Sequence, residues 1–263
     1  DTLSLSAIAT LTNSGSATGV TQTTGLSRTK TESNSQYTLY HGEVASFPFA
    51  SQDQAAKIYI KNLSTTAAEF ITIHINSEEL GRLYAGDWAF IPWSVAADTS
   101  DIKINKTKTM ATTATITIAS ADISGDGLAL TQQATLRKAG TTAEIEMTTG
   151  LARKIITGNT VGTFVPLILS SDLATNAVSK VGPAAKVYIA NKSEDVTEFV
   201  NINIGTSSGQ EIGKLYAGDW CFFPWTQTDA NADILVDCSV TTGITLEYMV
   251  VHEVSQLNNG INL

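Results

Sequence analysis

Residues 81–93 read GRLYAGDWAFIPW, and residues 213–225 read GKLYAGDWCFFPW. Ten of these thirteen positions are identical, and the two stretches contain all four tryptophans of the chain. Self-similarity of this length indicates an internally duplicated architecture. The sequence therefore predicts that one module, carrying one copy of this motif, occurs twice.

The similarity extends on both sides of the motif. Residues 3–28 align with residues 128–153 at an offset of 125, and residues 57–62 align with residues 186–191 at an offset of 129. From the motif onward the offset is 132, as in Gly81 and Gly213. The second copy has therefore gained a few residues at two points, and insertions of this kind belong in surface loops.

These alignments define the predicted domains. The first copy is assigned to residues 1–122 and the second to residues 126–263, with residues 123–125 as a short connecting turn. The turn lies in a Ser-Gly-Asp-Gly sequence and is not a long flexible linker. We therefore expect the two modules to pack together in a restricted orientation.

Composition narrows the possible partners. The chain has 263 residues, of which 43% are hydrophobic and 16% charged, and its net charge is −9. An acidic chain without a Lys/Arg cluster is not expected to bind nucleic acid. No apolar run approaches the roughly 18 residues of a membrane span, so no membrane partner is expected either.

Alternation with a period of two recurs along the chain and predicts β-strands. It places apolar side chains on one face of a strand at Ile71, Ile73 and Ile75 and, in the second copy, at Val200, Ile202 and Ile204. Further strands are predicted at residues 3–11, 36–41, 114–118, 128–136, 143–147, 164–169 and 245–252. The predicted fold class is all-β, with two tandem homologous β-sandwich domains of jelly-roll or immunoglobulin-like type. The strand order stays open.

The repeated motif is predicted to form a hairpin. Residues 80–84 and 88–93 make its strands, and residues 85–87 make its turn. Gly86 and its equivalent Gly218 can adopt positive φ in such a turn, and the following aspartate can accept bonds from backbone N–H groups. Prolines near the ends of the returning strands suit a strand end or an edge.

Both faces of the returning strand are apolar. Trp88, Phe90 and Pro92 share one face, and Ala89, Ile91 and Trp93 share the other. We expect one face to meet the sandwich core and the other to meet the sister module or another subunit. A hairpin that only fills the core and a hairpin repeated for binding both remain open. The candidate packing and interface residues are Tyr84, Asp87, Trp88, Phe90, Trp93, Tyr216, Asp219, Trp220, Phe222 and Trp225.

The chain offers few residues for chemistry. Its three histidines, His41, His74 and His252, have no ligand spacing and are interpreted as exposed or edge-strand residues. No serine nucleophile elbow or phosphate-binding loop is present. We therefore expect no catalytic, cofactor-binding or metal-binding residues, and no enzymatic activity.

The acidic residues and cysteines likewise form no recognisable site. Residues 122–126 lack the carboxylates of a calcium loop, and Asp229 and Asp233 are interpreted as polar loop residues. Recurring carboxylates, Glu69/Glu198 and Asp87/Asp219, leave a paired-carboxylate hydrolase as an alternative. Cys221 and Cys238 are predicted to be free thiols, with a disulfide between them as the alternative.

One family resemblance can be stated from these motifs. The segments KIYIKNLS (57–64) and KVYIANKS (186–193), followed by LYAGDW-x-F-x-PW and a closing strand such as LEYMVV (246–251), resemble virion structural proteins of tailed bacteriophages, marine and cyanobacterial phages first among them. The resemblance implies small β-sandwich modules, often duplicated, that decorate heads or build tails and fibres. It implies no site residue. Two copies in one chain also suit a double-jelly-roll coat protein, in which a trimer gives pseudo-sixfold symmetry.

The sequence therefore predicts a non-enzymatic virion structural protein, a capsid-decorating or tail/fibre-associated subunit. It is expected to assemble as a homo-oligomer or with other virion proteins, through its β-sandwich faces. The alternative is a carbohydrate-binding or adhesin module, in which Tyr84 and Tyr216 with Trp93 and Trp225 stack on a surface glycan. Exposure of these rings distinguishes the two hypotheses.

Overall fold

A computed structural model of the chain describes residues 5–13, 16–24, 30–39, 44–47, 56–75, 78–93, 102–106, 112–120, 131–133, 136–143, 145, 147–157, 164–168, 184–205, 210–225 and 233–253. Within these ranges the chain forms strands and turns without a helix. The predicted all-β class is therefore confirmed. A search of the described ranges finds no helix of the length and hydrophobicity that a membrane span requires.

The described strands of the first copy are β1 (Leu5–Asn13), β2 (Ser16–Thr24), β3 (Lys30–Leu39), β4 (Val44–Phe47), β5 (Ala56–Asn62), β6 (Phe70–Ile75), β7 (Glu78–Tyr84), β8 (Trp88–Trp93), β9 (Ile102–Lys106) and β10 (Thr112–Ser120). Those of the second copy are β11 (Thr131–Gln133), β12 (Met147–Thr148), β13 (Ala152–Ile156), β14 (Val165–Ile168), β15 (Lys186–Asn191), β16 (Phe199–Ile204), β17 (Gln210–Tyr216), β18 (Trp220–Pro224), β19 (Ile234–Cys238) and β20 (Ile244–His252).

Both copies have the same strand order. In the first copy the sheets run β4-β9-β6-β7 and β3-β10-β5-β8, and in the second they run β14-β19-β16-β17 and β13-β20-β15-β18. The first copy's β10, for example, lies between β3 and β5 and is antiparallel to both. Two four-stranded antiparallel sheets that interleave early and late strands form a jelly roll. The duplicated sandwich is therefore confirmed, and of the two predicted types the chain adopts the jelly roll.

Most predicted strands exist, with shifted ends, but β2, β4 and β13 had not been predicted. In β13 three successive residues, Arg153, Lys154 and Ile155, are exposed between buried neighbours. A strand at the rim of a sheet need not bury one face, so it lacks the alternation that predicts interior strands. The proposed connecting turn at residues 123–125, and with it the domain boundary, lies outside the described residues.

The two jelly rolls share one continuous sheet. The returning strand of each motif hairpin pairs with the other, so that β8 runs antiparallel to β18. The register partners are Phe90 and Phe222, which are equivalent in the two copies at the offset of 132. Equivalent residues that face each other in antiparallel strands define a local twofold axis.

The inner face of this shared sheet carries the main core. Ile60 and Ile91 of the first copy and Val187 and Phe223 of the second are fully buried in one hydrophobic cluster. Each such side chain contributes on the order of 1.5–3 kcal/mol through burial. Because the cluster is continuous through both copies, the modules are held together by their core as well as by the strand pair.

A glycine of the motif lets the copies approach closely. A Cβ placed on Gly81, in β7, would lie 2.6 Å from the carbonyl carbon of Pro224, in β18. Backbone cannot yield at that distance as the end of a flexible side chain can. Glycine at this position is therefore required both by the other copy and by its own backbone, whose φ of 155° is rarely adopted by residues with a side chain.

Gly81→Ala should lower the free energy of unfolding by at least about 2 kcal/mol, since the methyl group forces β7 away from β18. Gly86→Ala is the matched control, because Gly86 has a φ of 81° but nothing within 4 Å of an added Cβ. It should cost only about 1 kcal/mol of conformational strain. Urea unfolding of both variants measures the difference, and equal losses would show that the close approach does not limit packing.

Candidate functional site

The aromatic residues of the two motifs meet at the local twofold axis. The ring of Trp88 lies 4.9 Å from that of Phe222, and the ring of Phe90 lies 4.8 Å from that of Trp220 (centroid distances). Each indole of the central strands therefore packs on a phenyl ring of the other copy. Tilted pairs at this separation are favourable beyond the area that they bury.

A second hydrophobic cluster surrounds these four rings on the outer face of the shared sheet. Tyr59 extends it beside Trp88, at 6.2 Å, and Tyr188 extends it beside Trp220, at 6.4 Å. Leu136 and Ile145, from the start of the second copy, belong to the same buried cluster. The outer face is thus covered, and the central rings are almost inaccessible to solvent.

The remaining candidate residues have separate places. Tyr84 packs on Phe70 at 5.2 Å, and Tyr216 packs on Phe199 at 5.4 Å. Trp225 is fully buried in the main core, on the inner side of the shared sheet. The side chain of Trp93 lies outside the described residues. The ten candidates therefore do not form one surface.

The aspartate of each motif holds its own turn. The backbone N–H of Tyr84 donates to Asp87 Oδ2 at 3.0 Å, and the N–H of Tyr216 donates to Asp219 Oδ2 at the same distance. The glycine in each turn has positive φ, as predicted, at 81° for Gly86. This local geometry explains why the turn sequence recurs unchanged.

Asp87 has a second role, which the sequence analysis missed. Its Oδ2 lies 2.9 Å from Nζ of Lys186, in β15 of the other copy, and both side chains are almost completely buried. Lys186 also donates to the carbonyl oxygens of Ala184, at 2.8 Å, and Arg82, at 3.3 Å. Three acceptors satisfy the ammonium group, as a buried cation requires. The sequence did contain a signal for this ion pair, namely a lysine within a strand that is buried on both faces.

Burial dominates the electrostatics of this carboxylate. It raises the pKa of Asp87, and the neighbouring Lys186 ammonium opposes the rise only in part. Glu253, at the end of β20, adds a smaller contribution in the same direction as burial. The carboxylate of Glu253 accepts bonds from the N–H groups of Ala139 and Ala184, so Glu253 holds two segments of the second copy together.

The other recurring carboxylates, Glu69 and Glu198, stabilise loops. Ser64 Oγ donates to Glu69 Oε2 at 2.5 Å, and Ser193 Oγ donates to Glu198 Oε2 in the equivalent loop. Each glutamate thus binds a serine of its own copy. The hydrolase alternative, which needs two carboxylates facing one substrate, finds no support in this geometry.

Two asparagines missed by the sequence analysis complete these loops. Asn62 Nδ2 donates to the carbonyl of Leu83, at 3.0 Å, and Asn191 Nδ2 donates to that of Leu215, at 3.0 Å. Each connects the end of a strand to the motif hairpin beside it. The signal was their recurrence in the aligned segments 57–62 and 186–191.

Both cysteines are buried free thiols, as predicted. Cys238 Sγ donates to the carbonyl of Ile156 at 3.3 Å, and burial raises the pKa of this thiol to about 11. His252 is buried in the interior strand β20, so its interpretation as an exposed or edge residue is wrong. The prediction for His252 failed because the sequence does not show which strands lie in the interior of a sheet.

The described part of the chain contains no group of three or more His, Cys, Asp or Glu side chains placed to hold a metal ion. Of the residues weighed earlier, His41, Asp122, Asp126 and Asp229 lie outside the described residues. Asp233 is half-buried at the start of β19.

Comparison with known proteins finds no family model that matches the chain and no match among curated proteins. Solved structures similar to it include YhaK from Escherichia coli, with 13% identity, 88% of each chain covered and a TM-score of 0.28. They also include a phage protein, the PBSX exported protein XepA, with 12% identity, 92% of this chain and 96% of that chain covered and a TM-score of 0.27. A virus capsid protein, the STIV MCP, has 9% identity, coverage of 85% and 95%, and a TM-score of 0.24. Similarity at this level assigns no function.

Lys186→Met is expected to cost about 3–5 kcal/mol of unfolding free energy, because Asp87 then remains buried without its cation. Adding Asp87→Asn to this variant should restore part of the loss, since the two effects are coupled. Asp219→Asn removes the equivalent carboxylate of the second hairpin and should cost less than Asp87→Asn, because Asp219 is only partly buried. Urea unfolding measures all four variants. A Lys186→Met protein as stable as the wild type would contradict the assigned role.

Neither thiol should react with a disulfide reagent while the chain is folded. Both cysteines are buried, and with a pKa near 11 Cys238 holds little thiolate at pH 8. Ellman titration at pH 8 should therefore detect no rapidly reacting thiol in the native protein and two in guanidinium chloride. A single fast thiol before unfolding would contradict the described burial.

Proposed function

We propose that this chain is a non-enzymatic structural subunit of a virus particle, and that it acts by assembling with copies of itself or with other particle proteins. The observation that carries the proposal is the burial of the repeated aromatic hairpins at an internal twofold axis. The repeated hairpin, which is the most distinctive sequence of the chain, therefore has a structural role.

The recurring polar residues support the same interpretation. Asp87 closes a turn and binds Lys186 across the axis, Asn62 binds a neighbouring strand, and Glu69 binds a loop serine. Residues that would be candidates for catalysis in another protein are here engaged in holding backbone. A structural subunit contributes only its shape and its contacts, so polar residues that stabilise the backbone are sufficient for that role.

The twofold axis bears on the kind of particle. In a double-jelly-roll coat trimer, neighbouring modules are related by one sixth of a turn. In this chain the equivalent strands β8 and β18 run antiparallel, so half a turn relates the modules. We therefore favour a capsid-decorating or tail/fibre-associated subunit, in which two similar outer surfaces can bridge two neighbouring positions of a particle. The resemblance of the repeated motifs to tailed-phage virion proteins motivates this choice, whereas the comparisons with known proteins add no weight to it.

Glycan recognition is the second candidate, and the geometry does not favour it at the predicted residues. A stacking platform needs exposed rings, but Trp225 and Tyr84 are buried and Tyr216 is half-buried, while the side chain of Trp93 lies outside the described residues. Acrylamide should quench the buried tryptophans poorly, and glycans should not change that quenching. Strong quenching that glycans relieve would favour the recognition module instead.

The purified chain should self-associate as its concentration rises. Sedimentation velocity between micromolar and near-millimolar protein, with electron microscopy of the concentrated sample, should show discrete oligomers or ordered assemblies. Antibodies against the chain should also label virus particles purified from its source. A monomer over the whole range, together with unlabelled particles, would refute the structural role.

A further inference from the structure

The buried ion pair between the two copies brings an amine beside a carboxyl group. Nζ of Lys186 lies 2.9 Å from Oδ2 of Asp87, and both side chains are at most 2% exposed. The carboxyl carbon is bonded to that oxygen at about 1.2 Å, so the nitrogen lies within roughly 4 Å of this carbon. Reacting groups held near about 3–3.5 Å behave as though present at about 10⁵ M or more. An amine and a carboxylic acid in this position can condense to an amide.

Burial favours the uncharged forms that such a condensation needs. Burial raises the pKa of Asp87, and the negative charge of Glu253 raises it further, although the Lys186 ammonium opposes both while it stays charged. Two charges in a buried pair each lose their hydration, and transfer of one proton from Lys186 to Asp87 removes both charges at once. The amine that remains has a free electron pair and is a nucleophile.

The backbone around the pair is placed to assist the reaction. Oδ2 of Asp87 accepts a bond from the N–H of Tyr84 at 3.0 Å. Negative charge develops on a carboxyl oxygen when a nitrogen adds to the carbon, and an N–H group already directed at that oxygen stabilises it. On the other side, the carbonyl of Ala184 accepts from Nζ of Lys186 at 2.8 Å. The same carbonyl can accept the one N–H that an amide nitrogen keeps.

We propose that Lys186 and Asp87 condense to an amide, which joins the two jelly rolls covalently. The bond from Nζ to Cγ forms, and the bond from Cγ to Oδ1 breaks. Oδ1 leaves as one water molecule, with the proton that the carboxyl group carries and one proton from the nitrogen. Nothing is oxidised or reduced, and no further reactant is needed. The cross-link connects β15 of the second copy to the turn before β8 of the first, and it does not depend on the proposed role in a virus particle.

The duplication supplies an internal comparison for this site. The twofold axis relates the pair to Asp219 and Lys57, at the offsets of 132 and 129. Asp219 is only partly buried, and the side chain of Lys57 lies outside the described residues. The position equivalent to Glu253 is Ala121, at the same offset of 132 that relates the pairing of β10 with β5 to that of β20 with β15. The equivalent site thus has a less buried carboxyl group and no neighbouring glutamate, so the amide is assigned to the fully buried pair alone.

The first test is the mass of the full chain. The folded protein is incubated at neutral pH, denatured and measured by mass spectrometry, and most molecules should be lighter by one water than the sequence predicts. Lys186→Arg keeps a positive charge but replaces the amine by a guanidinium group, which stays protonated and does not add to a carboxyl carbon. This variant should keep the full mass. Lys57→Arg is the matched control and should lose water as the wild type does.

The second test locates the bond, because an Asp-Gly sequence such as residues 126–127 can also lose water by closing on its own backbone. Trypsin does not cleave after an acylated lysine. The wild type should therefore yield one linked species that joins residues 83–103 to residues 181–192. The Lys186→Arg variant should yield the corresponding peptides separately.

The wild-type results decide the proposal even where Lys186→Arg does not fold. Circular dichroism establishes that the incubated wild type and each variant are folded. A folded wild type that retains its full mass after prolonged incubation would overturn the proposal. A loss of water that maps to another segment, or that persists in folded Lys186→Arg, would overturn it as well. None of these results bears on whether the chain assembles, which sedimentation measures separately.

Discussion

A strand at the edge of a sheet leaves backbone N–H and C=O groups unpaired, and this chain removes two such edges by pairing them with each other. The antiparallel contact of β8 with β18 joins one sheet of each copy into a continuous nine-stranded sheet, in which both β12 and β13 pair with β20. Its twofold symmetry places Trp88 on Phe222 and Trp220 on Phe90, and it brings Asp87 within 2.9 Å of Lys186. The common core on one face and the aromatic cluster on the other both depend on this pairing.

The same pairing explains which motif positions vary between the copies. Ala89 is replaced by Cys221, and Ile91 by Phe223, and all four side chains lie on the inner face, in the main core. There a change of volume can be absorbed by neighbours that also differ. The third variable position keeps its charge, since Arg82 and Lys214 each lie 4.8 Å above a phenylalanine ring. The outer-face aromatics are identical because the tryptophan of each copy packs on the phenylalanine of the other across the axis.

Local features of this fold were predictable from the sequence, and long-range features were not. The hairpin, the positive φ of Gly86 and the backbone bond to Asp87 follow from turn chemistry within a few residues. Strand order is set by contacts between distant segments, so periodicity alone could not choose the jelly roll. The partner of β8, the burial of His252 and the ion pair of Lys186 depend on that same order. The exposed strand β13 was missed because it lies at a rim where alternation is not needed.

Two copies of one module in a single chain separate what the fold needs from what the surface adds. The loops at 64–69 and 193–198 share their serine–glutamate bonds, so stability requires those residues in both places. They differ in exposure: Ala68 lies beside Gly140, where an added Cβ would be 3.8 Å from its Cα, whereas the equivalent Thr197 is exposed. The first loop thus has a neighbour within the chain, and the second presents charge and an apolar side chain to solvent. Part of the divergence is therefore structural, because Ala68 packs beside Gly140 of the other copy, whereas Asp195 accepts the backbone N–H of Thr197 within its own loop. The exposed residues that neither contact uses, Glu194 and Val196, are the ones that folding does not explain.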